Sequence, residues 1–352
     1  MRIAQISPLY EAVPPKLYGG TERIVAYLTD ALVARGHEVT LFAGADADTR
    51  ARLVATRERS IRLDPSPLKS DLAAHLVLLH QVRERAHDFD VLHFHIDQLH
   101  LPVFEAYAER TLTTLHGRLD LTDLANAYAC WPQYALASIS RQQRSPLPRA
   151  NWIATVPHGI PGDLYRPHID GDKPYLAFLG RISPEKRPDR AIAIAKRAGM
   201  PLRMAAKVDA VDRAYFHEEI EPLLDDPLIE YIGEISDHEK EAFLGHARAL
   251  LFPIDWPEPF GLVMIEAMAC GTPVIAWNCG SVPGVVDHGL TGYIVANIDD
   301  AVTAISRLGH LSRERIRSVF ERRFTANVMA AAYEDVYREV MRQSPGLRAV
   351  GM

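Results

Sequence analysis

Two successive doubly wound α/β domains are the fold class that this 352-residue sequence predicts. Three observations lead there. Near the start, an apolar strand pattern at 2–6, a helical pattern at 22–35 and a strand pattern at 38–43 form a βαβ unit, which implies a parallel sheet with a right-handed crossover. The same alternation restarts beyond a Pro/Gly-rich stretch at 156–162. The length is enough for two separate cores.

In the first half, the helix at 22–35 places Ile24, Val25, Leu28 and Leu32 on one face and stops at Gly36. Further strands are expected at 91–95, 111–115, 135–139 and 152–156. In the second half, 175–179 reads as strand, 190–198 as helix, and 202–206 and 228–232 as strands. The alternation continues through 249–252, 274–276 and 292–295. The segment 326–341 is amphipathic, with Val328, Met329, Ala332, Tyr333, Val336, Tyr337 and Val340 at helical spacing. The stretches 9–17 and 45–69 read as first-domain loops. No repeat or low-complexity tract is present.

Charged residues make up 24% and hydrophobic ones 48% of the chain, ordinary values for a folded protein. A formal charge of −6 offers no global attraction to nucleic acid, so no nucleic-acid partner is expected. Cys130, Cys270 and Cys279 lack metal-ligand spacing, and their odd number argues against a disulfide framework, which favours a reducing cytoplasm. No run of about 18 apolar residues appears, so a soluble or at most peripheral protein is expected. The basic run Arg50, Arg52, Arg57, Arg59 and Arg62 is a solvated surface or a contact for an acceptor or a membrane surface.

The most informative stretch is 256–278, Trp-Pro-Glu-Pro-Phe-Gly-Leu-Val-Met-Ile-Glu-Ala-Met-Ala-Cys-Gly-Thr-Pro-Val-Ile-Ala-Trp-Asn. Glu258 sits in a Pro-punctuated turn. Glu266 sits on a helix expected to open near Phe260 or Gly261 and to stop at Cys270–Gly271. A loop carboxylate, free helix N-terminal amides and a second carboxylate suit a ligand that is half polyol and half phosphate. Arg181 and Lys186 follow the strand at 175–180; a guanidinium fork and a compact ammonium suit a diphosphate, although a solvated basic turn is the plain alternative. Gly19 and Gly20 lie between the first strand and first helix, where backbone amides can approach an anion. Their spacing matches neither a dinucleotide fingerprint nor a P-loop. A flexible loop leading into a helix capped by Thr21 is the alternative there.

The segment from Glu258 to Val274 resembles the signature of the retaining nucleotide-sugar glycosyltransferases of family four, which have the GT-B architecture of two Rossmann-like domains facing a central cleft. Three further motifs resemble the family in the same order: 18–23 (Tyr-Gly-Gly-Thr-Glu-Arg) its glycine-rich loop, 114–117 (Thr-Leu-His-Gly) its first-domain histidine, and Gly180-Arg181 with Lys186 its diphosphate clamp. The resemblance covers nearly the whole chain. It implies an acceptor-side domain at 1–160, a nucleotide-sugar domain at 161–324, and a C-terminal helix at 325–352 that packs back on the first domain.

The implied reaction moves a hexose from a nucleoside diphosphate sugar, UDP-glucose-like or GDP-mannose-like, to an acceptor hydroxyl with an α-linkage. By the same resemblance, Gly19 and Gly20 contact the donor, and the backbone near Ile235 holds the nucleobase. Glu258 with Phe260, Gly261 and Leu262 orients the sugar, and Glu266 holds the ribose. His116 faces the reacting carbon beside Arg181, Lys186 and Glu258, and His95 belongs to the acceptor side. No cofactor or metal is expected. His93-Phe94-His95 is compatible with zinc but guarantees no third ligand. The acceptor is a sugar, a lipid-linked sugar or a small molecule.

The chain departs from the family at His158-Gly159, where Asn-Gly is frequent, and at Pro283-Gly284, where Pro-Glu is frequent. Both put the subfamily and the donor in doubt. A non-catalytic sugar-nucleotide or carbohydrate-binding protein, or an epimerase of the same architecture, is the competing reading.

Overall fold

A computed structural model describes residues 1–16, 19–171 and 173–343. Leu17 of the stretch 9–17, Tyr18 of the glycine-rich motif and the end of the C-terminal segment, 344–352, lie outside the described residues. Those described divide into two compact units, Met1–Pro161 with the segment from Ala326 onward, and Gly162–Thr325.

The first unit holds β1 (Arg2–Ile6), β2 (Glu38–Gly44), β3 (Arg52–Arg57), β4 (Val91–Phe94), β5 (Thr111–Thr114), β6 (Ala135–Ser138) and β7 (Trp152–Thr155). Among the described residues these form one seven-stranded sheet in the order β3-β2-β1-β4-β5-β6-β7, and every pairing is parallel. Its central strands bury both faces, as the continuous apolar runs around Ile3, Phe42 and Leu92 require. The chain order reverses on either side of β1, the crevice where open α/β sheets place ligands.

Helix α1 (Gly20–Ala34) begins two residues earlier than the periodicity suggested, because Gly19 rather than Thr21 occupies the N-cap position. Three elements of the first unit escaped the sequence reading. Strand β3 lies inside 45–69, which was expected to be loop; it is a half-buried edge strand whose arginines mask the alternation. Helix α2 (Asp71–Glu84) opens at Ser70, whose hydroxyl accepts from the Ala73 amide at 3.2 Å. Helix α3 (Leu124–Cys130) is short.

The second unit holds β8 (Tyr175–Arg181), β9 (Leu202–Lys207), β10 (Ile229–Gly233), β11 (Ala247–Phe252), β12 (Val274–Trp277) and β13 (Gly292–Val295). They form a parallel sheet in the order β10-β9-β8-β11-β12-β13. Its helices are α4 (Pro188–Ala198), the single turn α5 (Arg213–Tyr215), α6 (Asp237–Gly245), α7 (Leu262–Ala269), the turn α8 (Val282–Val285), α9 (Ile298–Arg307) and α10 (Arg313–Arg323). Two arginines tie α10 down. Arg313 donates to the carbonyls of His168 at 3.1 Å and Gly245 at 3.0 Å, and Arg317 to those of Tyr165 at 2.8 Å and Ala269 at 2.7 Å.

Helix α11 (Ala326–Gln343) then returns to the first unit. Tyr333 and Tyr337 are fully buried there, and both hydroxyls find partners, as buried tyrosines need. Glu334 is held by Arg35 at 2.5 Å and His37 at 2.9 Å, and these hydrogen bonds pull its carboxyl down to about 2.

Candidate functional site

Parallel strands share one C-terminal edge, and in the second unit the loops leaving β8, β9 and β11 at that edge carry the charged motifs. After β8 the chain makes one turn, Pro184–Lys186, and leaves it with Arg187 in the left-handed region at φ 52°. The Lys186 ammonium is thereby delivered to the Glu258 carboxylate. It lies 5.3 Å from the Trp256 ring centroid and 5.7 Å from that of Phe252, close enough for cation–π attraction. The Trp256 indole donates to the same carboxylate at 3.1 Å. Lysine, glutamate and tryptophan thus form one knot.

The Glu258 backbone is fixed by its neighbours. The Ser281 amide donates to its carbonyl at 2.9 Å, and the Ser281 hydroxyl donates to the Phe260 carbonyl at 2.7 Å. Gly280, at φ 54°, packs so closely that a Cβ there would sit 2.4 Å from the Glu258 nitrogen. At the next turn Gly261 takes φ 77° and serves as the N-cap of α7 without any side-chain cap. A Cβ on it would meet Met264 at 2.9 Å and Phe252 at 3.0 Å. Helix α7 therefore opens with amides that have no intrahelical partner, a positive end suited to an anion. It closes at Cys270, followed by Gly271 at φ 75°, as the sequence suggested.

The remaining second-unit residues are placed separately. Arg181 ends β8 and faces Asp209 at 3.4 Å, Glu185 at 3.8 Å and Asp212 at 3.9 Å. Glu266, 4% exposed, accepts from Lys240 of α6 at 3.1 Å, and Lys240 also meets Asp237 at 3.0 Å. Ile235 follows β10 and, with Tyr175, Arg203, Glu239 and Phe243, lines a pocket of about 430 Å³. Sequence reasoning missed Lys240, Trp256, Gly280 and Ser281. Trp256 was visible beside Glu258; the other three meet their partners through the fold.

In the first unit, Gly19 and Gly20 stand at the N-terminus of α1, and a Cβ on Gly19 would come within 2.8 Å of Pro15. Glu22 in the first turn is buried, which pushes its carboxyl up, and it accepts from the Glu11 amide at 3.3 Å. His116 follows β5. Its Nε2 lies 2.8 Å from Nδ1 of His95, and its ring stacks on that of His158 with centroids 5.1 Å apart. Burial pushes His116 down to about 3, so its imidazole is neutral at ordinary pH.

His95, expected on the acceptor side, lies within the same network. It is 3% exposed, and its second nitrogen, Nε2, is 2.8 Å from the Gln5 carboxamide oxygen. Both ring nitrogens of His95 are thus engaged within the unit. His93 is engaged likewise, with Tyr337 and Thr114, each at 2.8 Å. Among the described residues, no group of three or more His, Cys, Asp or Glu is arranged to hold a metal ion, and no helix is long and apolar enough to cross a membrane.

Comparisons with known proteins agree with this division. The family model described as Glycosyltransferase Family 4 matches residues 18–160, and that described as Glycosyl transferases group 1 matches residues 165–320. A D-inositol 3-phosphate glycosyltransferase of Saccharomonospora viridis is 29% identical over 54% of this chain, which spans 50% of that relative's length. A phosphatidyl-myo-inositol mannosyltransferase of Mycobacterium leprae is 26% identical over 97% of both chains. The crystal structure of AviGT4, a glycosyltransferase involved in avilamycin A biosynthesis, is similar with a TM-score of 0.76 and 23% identity, covering 98% of this chain and 99% of that one. The shared fold is GT-B.

Proposed function

This chain belongs to the family-four, group 1 glycosyltransferases, and we propose that it moves a hexose from a nucleoside diphosphate sugar to an acceptor hydroxyl with retention, leaving an α-linkage. The observation that carries this reading is the knot of Lys186, Glu258 and Trp256 beside the Gly261-opened end of α7. It puts a cation, a carboxylate and open amides on one strand edge, the set that a sugar diphosphate needs.

In this reading Lys186 and Arg181 hold the diphosphate and offset the negative charge that grows on the leaving oxygen. Glu258 turns from Lys186 to the sugar hydroxyls as the diphosphate arrives, while Phe260, Gly261 and Leu262 contribute backbone contacts. Glu266, poised by Lys240, accepts from the ribose diol. The backbone near Ile235 meets the base. Gly19 and Gly20 bring amides to the donor, and His116 meets the sugar near the reacting carbon. The leaving oxygen takes the acceptor proton on the face it departs from, and the two cationic side chains take the place of a divalent ion. The donor is a UDP-glucose-like or GDP-mannose-like compound.

The acceptor is a sugar, a lipid-linked sugar or a small molecule. One surface supports a lipid-linked acceptor at the inner face of a membrane. Leu68 is 94% exposed and Leu72 59% exposed at the start of α2, with Leu76 and Val77 exposed beside them. A basic stretch with Arg59, Arg62 and Lys69 runs through the chain just ahead of this apolar strip, the pairing of features that a lipid surface would use.

The test incubates the protein with a panel of nucleoside diphosphate sugars and measures release of nucleoside diphosphate, with and without a chelator. Wild-type release that survives chelation, together with a loss of at least tenfold in Glu258→Ala, supports the reading. Absence of release and of thermal stabilisation by every donor would overturn it.

A further inference from the structure

We infer that Gln5 and Tyr337 are positioning residues that set the tautomer of His116, leaving its Nδ1 as a bare acceptor that takes a hydrogen bond from a ligand hydroxyl. The inference rests on the reading of His116 as a donor-sugar contact given above.

A chain of hydrogen bonds leads to the assignment. The Gln5 carboxamide is oriented with its oxygen 2.8 Å from His95 Nε2. An amide oxygen only accepts, so His95 carries its proton on Nε2. Burial keeps His95 neutral, and its Nδ1 is then unprotonated and accepts in turn. The partner at that nitrogen is His116 Nε2, at 2.8 Å, which must donate. His116 is neutral as well, so its one ring proton is spent on His95, and Nδ1 keeps a lone pair. That atom is buried and has no hydrogen-bond partner among the described residues.

The orientation of Gln5 is held from the other end. Its amide nitrogen donates to the Tyr337 hydroxyl at 2.9 Å and lies 3.4 Å from His93 Nδ1. The Tyr337 hydroxyl then donates to His93 Nδ1 at 2.8 Å, His93 Nε2 donates to the Thr114 hydroxyl at 2.8 Å, and that hydroxyl meets Tyr333 at 2.9 Å. Gln5, Tyr337 and His93 are satisfied in this direction, and one rotatable hydroxyl proton is left over between Thr114 and Tyr333. Turning the carboxamide round would reverse each bond and move the one unpaired proton from a hydroxyl, which can rotate toward another acceptor, to the fixed ring N–H of His116 Nδ1.

The chemical consequence is selective. A neutral imidazole with a bare Nδ1 receives a hydroxyl proton but offers nothing to a phosphate, a carboxylate or a carbonyl oxygen. His116 therefore recognises the polyol part of the ligand. The signal originates in part on α11, which reaches β1 only after the second unit has been traversed in sequence.

Nitrogen-15 spectra of the full chain, labelled at histidine and assigned with a His116→Gln variant, test this directly. The expected wild-type result is an unprotonated Nδ1 and a protonated Nε2 on His116, and the opposite pattern would overturn the inference without any activity measurement. In Tyr337→Phe, both tautomers of His116 should appear and kcat should fall by roughly tenfold, the effect of one misdirected hydrogen bond, with donor KM changing less. Gln5→Met should behave alike. An unchanged tautomer in Tyr337→Phe would remove Tyr337 from the proposal, and should that variant fail to fold, the wild-type spectrum still decides. Full activity in His116→Gln would instead refute the role given to His116 above and leave the tautomer assignment standing.

Discussion

The two strand edges that carry the motifs solve opposite electrostatic problems. In the second unit, polar groups are charged and paired across short gaps: Lys186 with Glu258, Arg181 with Asp209, Lys240 with Glu266. In the first, His93, His95 and His158 are buried and His116 is half-buried, and all four are held below their usual titration range, so the network is neutral. A charged edge can exchange its internal partners for an anionic ligand. A neutral edge can only direct hydrogen bonds, which makes the position of each proton matter more than the number of groups. The difference teaches where to look for effects: the second unit should respond to removal of charge, the first to removal of direction.

The comparison breaks most sharply at Lys186. Lys186→Ala should lower turnover by about 10² to 10³, the range for losing a donor aimed at developing negative charge. Turnover at a saturating donor concentration measures this, and wild-type rates would mean that the ammonium serves only to hold Glu258. Next comes Gly280→Ala, whose new methyl group would press on the Glu258 backbone at 2.4 Å. A loss of roughly tenfold or more in kcat/KM is expected, with donor affinity measured by calorimetry falling in parallel.

A smaller effect serves as a control within the second unit. Arg317→Met should leave the histidine tautomers untouched while destabilising the second unit by about 2–4 kcal/mol, because it strips donors from carbonyls that α10 now satisfies. Chemical denaturation followed at tryptophan would record it. The smallest effect concerns Glu334. Its carboxyl is held at about 2 against an ordinary 4.5, so the stability it confers is complete above that ordinary value and is lost as pH falls toward 2. Glu334→Gln should remove about 1 kcal/mol at neutral pH, once solvent screening is allowed for, and flatten the acid limb of an unfolding profile.

The architecture was legible because it rests on local pattern. Alternation of strand and helix, with Gly36 and Gly271 as stops, located the central strands of both sheets to within one or two residues. What failed to show had a physical reason in each case. Strand β3 is an edge whose Arg52 and Arg57 interrupt the apolar alternation, and α2 presents Leu72, Leu76 and Val77 to solvent as well as Leu78 and Leu79 to the core, which blurs its helical stripe.

For the site, the contiguous segment from Glu258 to Glu266 could be read at once, since loop, cap and helix follow one another in the chain. Lys240 and Gly280 could not. Each meets its glutamate through the fold, Lys240 from a different helix and Gly280 from a turn 22 positions away from Glu258. The partners of His95 were hidden for a related reason: strand periodicity shows which face a ring takes, and says nothing of a glutamine on the neighbouring strand β1 that occupies its far nitrogen.

The return of α11 has a consequence for synthesis. The second unit is one unbroken stretch of chain and can close as soon as the ribosome has released it. The first unit emerges earlier yet lacks the tyrosines that plug the floor of its sheet, so its nascent form carries an open seam along β1 and β4. The tyrosines that complete the histidine network of the N-terminal half are thus made only after the whole of the second unit.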